Sequence, residues 1–360
     1  MPSNPNSSSA ASIGKTATLI LVVGMLFSGV CNTILNKFQD MQCVGNCDDP
    51  DPKKRSYFEQ PIWQTLNMFV GEFAVWSVYL YQKYQQKQSK VGIAPPSAIN
   101  QLDAAAIVDD VDQRITKVED DLPELKGWKA LLFWIPTLCD LTATTVMNVG
   151  VGIVGLSSVL FPQKKPDETV LEGDSFDYSS LLGVGLVLGA QVFTATQFVV
   201  EEKILVRYKV TPLKAVGLEG SFGLISVLAA MPILHVLLGK THPSFDVVQG
   251  YHDFFDNARV WQTGLAISVS IAFFNWFGLS ITSAVSATAR STIDACRTLF
   301  IWMVSLSLGW EHFSWIQVIG FITMVTGTFY FNGVLKWPFV TDEEEEQAEN
   351  ERAPLLPRDE

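Results

Sequence analysis

The chain has 360 residues, 48% of them hydrophobic, with a mean hydropathy of +0.23 and a formal net charge of −12. The hydrophobic residues recur in apolar runs of about 20, the length that crosses a bilayer core of about 30 Å, which excludes an ordinary soluble globule. The acidity sits in polar segments (103–124, 167–177 and 342–351), and neither a basic stripe nor a phosphate-cradling glycine loop points to nucleic acid or nucleotide chemistry.

Residues 1–14 are rich in Ser, Asn and Pro and lack the basic start of a signal peptide, so they read as a cytosolic tail. A first span is predicted at Thr16–Phe38, with a polar far end at Asn32, Asn36 and Lys37. In the loop after it, Cys43 and Cys47 suit a local disulfide if that loop faces an oxidising lumen. Cys31, Cys139 and Cys296 lie in apolar runs and read as packing residues.

The second span, Ile62–Tyr81, carries Glu72 between Gly71 and Phe73. A polar insert at 82–128 follows, expected as surface helix or disorder. The next apolar stretch, Lys129–Leu160, would be about 48 Å long as one helix, too long for a bilayer core. It holds Pro136, Asp140 and a Gly150–Gly155 run.

After a polar loop at 162–179, the fourth span is predicted at Ser180–Val200. Its Gly185 and Gly189 have the spacing of a close helix contact, and Gln197, Glu201, Glu202 and Lys203 lie toward its end. The fifth span, Ala215–Leu238, carries Glu219, and the sixth, Trp261–Ala284, carries Asn275. Between these two, 240–260 reads as a polar loop with His242 and His252 solvated.

The seventh span, within 286–311, places Arg290, Asp294 and Arg297 at i, i+4 and i+7, on one helix face. A charge at the centre of a membrane helix costs roughly 2.5–3.5 kcal/mol, so such residues usually face a polar cavity. Two arginines against one aspartate leave that face net positive and suited to an anion. A second reading stays open, in which Arg290 and Asp294 only mark the interfacial end and Arg297 alone lies a turn deeper.

An eighth span at Trp315–Leu335 and an acidic tail close the chain. The Lys/Arg bias of 82–128 and 203–214 places both termini in the cytosol, although Lys53, Lys54 and Arg55 run against it. In the tail, Glu351, Leu355 and Leu356 fit an acidic dileucine signal read by sorting adaptors, which implies a lysosomal, endosomal or vacuolar membrane, with the Golgi as the alternative.

The two halves look related. Gly71-Glu72-Phe73 is matched by Leu218-Glu219-Gly220, and Cys139-Asp140 by Phe274-Asn275, as in transporters built from inverted repeats. The match then fails: Arg297 follows Asn275 in a new helix, while the same step from Asp140 falls at Pro162, in polar loop.

These motifs, with Glu201-Glu202-Lys203, Ala215 to Gly223, Ser286 to Thr298 and Leu308-Gly-Trp-Glu311, resemble the drug/metabolite transporter superfamily. Within it they resemble the F subgroup of solute carrier family 35. The resemblance implies an all-α multi-pass membrane protein of EamA-like inverted repeats, ten helices in full. Here Met147-Asn148-Val149-Gly150 runs straight into Val151-Gly-Ile-Val-Gly155, as though the fourth and most of the fifth helix were missing, leaving about eight spans.

The expected organisation is an N-terminal tail (1–14), an incomplete first repeat (15–161) with its cytosolic insert, a luminal loop (162–179), a complete second repeat (180–336) and an acidic tail (337–360). The expected function is transport of a polar, anionic, nucleotide-sugar-like metabolite by alternating access. Arg297, Arg290, Asp294, Asn275 and Asp140 are the candidate substrate-binding residues. Glu72, Glu219 and Gln197 are candidate coupling or gating groups. No metal-binding cluster or nucleophile motif argues for an enzyme, and no cofactor is expected. The expected partners are the lipid bilayer, the small solute, a sorting adaptor and a second copy in a homodimer. The alternative is a non-transporting isoform or a membrane scaffold acting through 82–128 and the tail.

Overall fold

The computed structural model describes residues 15–51, 54–90, 122–160, 178–240 and 245–331. The tail motif (Glu351, Leu355, Leu356), most of the 82–128 insert, nearly all of the 162–179 loop, and His242 lie outside the described residues.

The protein is all-α. Its helices are α1 (Lys15–Asp40), α2 (Pro61–Lys90), α3 (Trp134–Leu160), α4 (Tyr178–Arg207), α5 (Pro212–Leu238), α6 (Val247–Phe255), α7 (Ala258–Ala284), α8 (Ala287–Ser307) and α9 (Trp315–Phe331). A short antiparallel pair, β1 (Cys43–Gly45) and β2 (Ser56–Tyr57), closes the α1–α2 connection. Among the described residues five helical stretches are long and apolar enough to cross a membrane: Ala17–Asp40, Gly127–Met147, Leu181–Arg207, Pro212–Leu237 and Ala258–Ala284. In α9 the apolar stretch is shorter, Trp315–Thr328.

Local sequence explains several boundaries. The Thr211 hydroxyl accepts from the Lys214 amide and Pro212 opens α5, where a missing N–H costs nothing. Asp246 caps α6 and Asn257 caps α7 in the same way.

Four expectations change. Lys129–Leu160 is not one α-helix, because Gly127–Phe133 is a 3-10 helix and α3 begins at Trp134. Pro136 therefore falls in the first turn of α3, where it breaks no hydrogen bond. At 27 residues α3 is about 40 Å long, the same as α5 and α7 and shorter than α2 and α4. The second predicted span, Ile62–Tyr81, lies in a longer helix, since α2 continues to Lys90, and α2 is not among the five stretches apolar enough to cross a membrane. The 240–260 segment is not simply loop: α6 packs Phe254 against Phe58 and Trp63, while exposed His252 lies 2.9 Å from Asp256. Gly185 and Gly189 make no close contact, for a Cβ at either would meet open space.

Residues up to Ile301 form one compact unit. Its axis is α7, with 61% of its most apolar window buried against 22% for each of the other four stretches. That helix packs on α1 and α2 most extensively and also touches α4, α5 and α6. The others keep a lipid-compatible side, with Leu19, Phe27, Leu188, Val192 and Val236 exposed. The second unit starts at Trp302. Within it the Trp302 indole donates to Gln317 Oε1 at 2.9 Å, and Gly309, with φ of 71°, makes the left-handed turn before α9.

Candidate functional site

Three glycines set the site by letting backbones touch. A Cβ on Gly71 would collide with the Ser268 backbone, so α2 and α7 lie close. A Cβ on Gly220 would collide with Glu72 and Phe73, so α5 lies as close to α2. Gly278 of α7 leaves the space that the Arg290 side chain fills. The α2–α7 crossing is also tied by polar bonds: Asn67 Nδ2 donates to the Gly264 carbonyl at 2.8 Å, and the Ser268 hydroxyl donates to Asn67 Oδ1 at 2.9 Å.

These approaches bring charged groups from five helices into one interior region. Glu72 (α2), Asp140 (α3), Glu201 (α4), Glu219 (α5) and Arg290 (α8) lie within electrostatic reach of one another. Glu72, Glu201, Glu219 and Arg290 are buried and Asp140 is half-buried. Asn275 Nδ2 donates to Glu72 Oε1 at 2.5 Å, and Thr144 bonds the Asp140 carboxylate.

At the centre Arg290 Nη1 donates to Glu201 Oε2 in a buried ion pair. The guanidinium carbon also stands 4.0 Å from the centre of the Phe198 ring. The next residue, Glu202, accepts from the Ala287 amide at 3.1 Å. Consecutive carboxylates of α4 thus hold the first turn of α8, one by its arginine and one by a first-turn backbone N–H.

Arg297 lies elsewhere. It sits 2.9 Å from Asp294 Oδ1, without the alignment of a hydrogen bond, and its Nη1 donates to Thr33 Oγ1 at 3.2 Å. Its guanidinium also approaches the Phe274 ring at 5.0 Å.

Two expectations about α8 are corrected here. Arg297 is not the deeper arginine: its side chain is 21% exposed against 2% for Arg290. Arg290 lies nearer the helix start, but α4 extends beside it and encloses it. Nor is the face net positive, since Arg290 is matched by Glu201 and Arg297 by Asp294. Of the other predicted residues, Asn275, Asp140, Glu72 and Glu219 converge, and Gln197 is buried in α4 beside Phe198. Glu201 is the important residue that sequence reasoning left out. It reads as the polar end of a span, although its helical neighbours Phe198, Ile204 and Leu205 are apolar and buried.

Cys43 and Cys47 are joined by a disulfide, and the Asn257 side chain donates to the Cys43 carbonyl at 2.9 Å, fixing the hairpin to the start of α7. A separate apolar groove of about 640 Å³ runs between α2 and α7, lined by Trp63, Val70, Val269 and Phe273. Its lining suits hydrocarbon rather than a polar solute.

No protein-family model matches the chain. An uncharacterized protein of Schizosaccharomyces pombe is 30% identical to it over 343 residues, covering 89% of this chain and 99% of its own length. Solute carrier family 35 member F6 of Homo sapiens is 28% identical over 361 residues, covering 88% of this chain and 89% of its own length. The Mus musculus protein of the same name is also 28% identical, with 88% of each chain covered. Over most of its length the chain is thus similar to members of solute carrier family 35. Its long apolar helices and this similarity make it an integral membrane protein.

Proposed function

We propose that the protein transports a small polar, anionic metabolite, of nucleotide-sugar-like chemistry, by alternating access. The observation that carries this reading is the convergence of Glu72, Asp140, Glu201, Glu219 and Arg290 from five helices on one interior region. Charges are costly in a membrane interior, and a scaffold has no use for them there. Arg297 is the arginine that faces the anion, being half-buried and held by Thr33 and Asp294 rather than sealed in. The pairing of Glu72 with Glu219, and of Asp140 with Asn275, supports two inverted repeats with the solute between them.

The test is uptake into proteoliposomes with a panel of anionic metabolites, for the native chain and Arg297→Ala. Uptake of one class, lost in the variant, is the expected result. Absence of uptake for the whole panel would sink the reading.

A second reading has its own support. The match to the human relative spans 361 positions yet takes in 88% of a 360-residue chain, so it includes positions that this chain leaves unfilled. This favours a chain that lacks two spans and is a non-transporting isoform. Restoring a helix pair between Asp140 and Ser180 then creates uptake that the native chain lacks. We place the protein in endolysosomal membranes with both termini cytosolic, on the dileucine and the Lys/Arg bias.

A further inference from the structure

Glu219 leaves one of its oxygens without a partner. Its Oε1 is buried and accepts no hydrogen bond, in a residue only 5% exposed. The Oε1 of Glu201 is in the same condition, although its other oxygen binds Arg290.

The charged groups that act on Glu219 come from four other helices: Glu72 from α2, Asp140 from α3, Glu201 from α4 and Arg290 from α8. Asn275 of α7 has already given its amide to Glu72. Charges at the ends of α5 are occupied elsewhere, Lys129 on the Tyr208 ring and Asp246 on His235.

The balance of charge in this region is one-sided. Arg290 is the cation acting on all the carboxyl groups, and Glu201 already neutralises it. Glu72 and Glu219, both buried, then remain without a counter-charge, with half-buried Asp140 beside them, and ionised carboxylates do not tolerate such a place together.

We infer that the ion coupled to transport is the proton, and that Glu219 is the carboxyl group that takes it up. This deepens the transporter reading above and rests on it. A proton from water on one side forms an O–H bond at Oε1 of Glu219. When the helices re-pack, that bond breaks and the proton passes to water on the other side, with no change of oxidation state. The pair Glu201–Arg290 stays closed while Glu219 changes charge, because its members neutralise each other.

Two measurements on the purified protein in detergent test this without any transported solute. Infrared difference spectra, taken as pH rises from mildly acidic to alkaline, should show loss of a protonated-carboxyl C=O band, and part of that band should be missing in Glu219→Gln. A band of equal size in the native protein and the variant overturns the assignment, as does its absence from the native protein. Should the variant fail to fold, labelling the native chain with an apolar carbodiimide, which attacks protonated buried carboxyls, decides the matter. An adduct on the Glu219 peptide that fades as pH rises is expected, and none at any pH overturns the proposal. Either failure leaves the uptake assay untouched, whereas labelling at Glu219 without uptake of any solute counts against the transporter reading alone.

Discussion

Gly220 of α5 rests directly on the backbone of Glu72 in α2, so the two helices cross with no side chain between them. The crossing is what places Glu219 beside Glu72. Gly220→Leu should cost about 3 kcal/mol or more, since the obstacle is backbone and cannot swing aside. Gly185→Leu, where a Cβ meets open space, should stay within about 0.5 kcal/mol. Thermal unfolding of the two variants in detergent checks the contrast, and equal losses would refute the tight crossing.

Arg290 and Glu201 should behave as a unit. Arg290→Ala leaves a carboxylate buried beside an empty space and should cost about 3–5 kcal/mol. The double change Arg290→Met with Glu201→Gln removes both charges at similar volume and should recover most of that loss. Monodispersity on size-exclusion and the unfolding midpoint report it. A double variant as weak as the single one would mean that packing on Phe198, not charge, holds the site.

Arg297 should show the opposite profile. Its side chain is partly exposed and its pairing with Asp294 is not aligned, so Arg297→Ala should lose at most about 1 kcal/mol of stability. Uptake in proteoliposomes should nevertheless fall to background. Normal uptake in a well-folded Arg297→Ala would remove this residue from the solute path.

The tail makes a cellular prediction. Leu355→Ala with Leu356→Ala should move the protein from endolysosomal membranes to the cell surface, read by surface biotinylation and imaging against a lysosomal marker. An unchanged distribution would dismiss the dileucine as a sorting signal.

Much of this was legible in residue types. Polar residues isolated in apolar runs (Glu72, Glu219, Asn275, Asp140) marked the interior, because the bilayer makes each such residue expensive. The Cys43 and Cys47 spacing anticipated a local bridge. Depth along α8 was misread because sequence measures distance from a helix end, not what a neighbouring helix covers; α4 encloses Arg290 and leaves Arg297 partly open. Glu201 hid for the same reason, at a span end that another helix buries. The Gly185 and Gly189 spacing matched a contact motif without a partner to contact, whereas Gly71 and Gly220, in no such spacing, carry the crossings. Helix α6 escaped notice because it is only nine residues long, with its apolar residues set among Gln, His and Asp.

The burial of α7 on so many sides has a consequence for how the protein is made. Gln39 of α1 donates to the Val260 carbonyl at 3.0 Å across a separation of 221 residues, and Asn67 and Glu72 of α2 find their partners on the same late helix. At ribosomal speed some tens of seconds pass between insertion of the first helices and arrival of α7. Through that interval the early helices hold unmatched amides and a carboxyl in the bilayer, so they cannot yet be released as independent spans. The insertion machinery, or a chaperone beside it, has to keep them until α7 emerges. A chain truncated before Ala258 never receives that helix, and should be retained at the site of synthesis and degraded rather than exported.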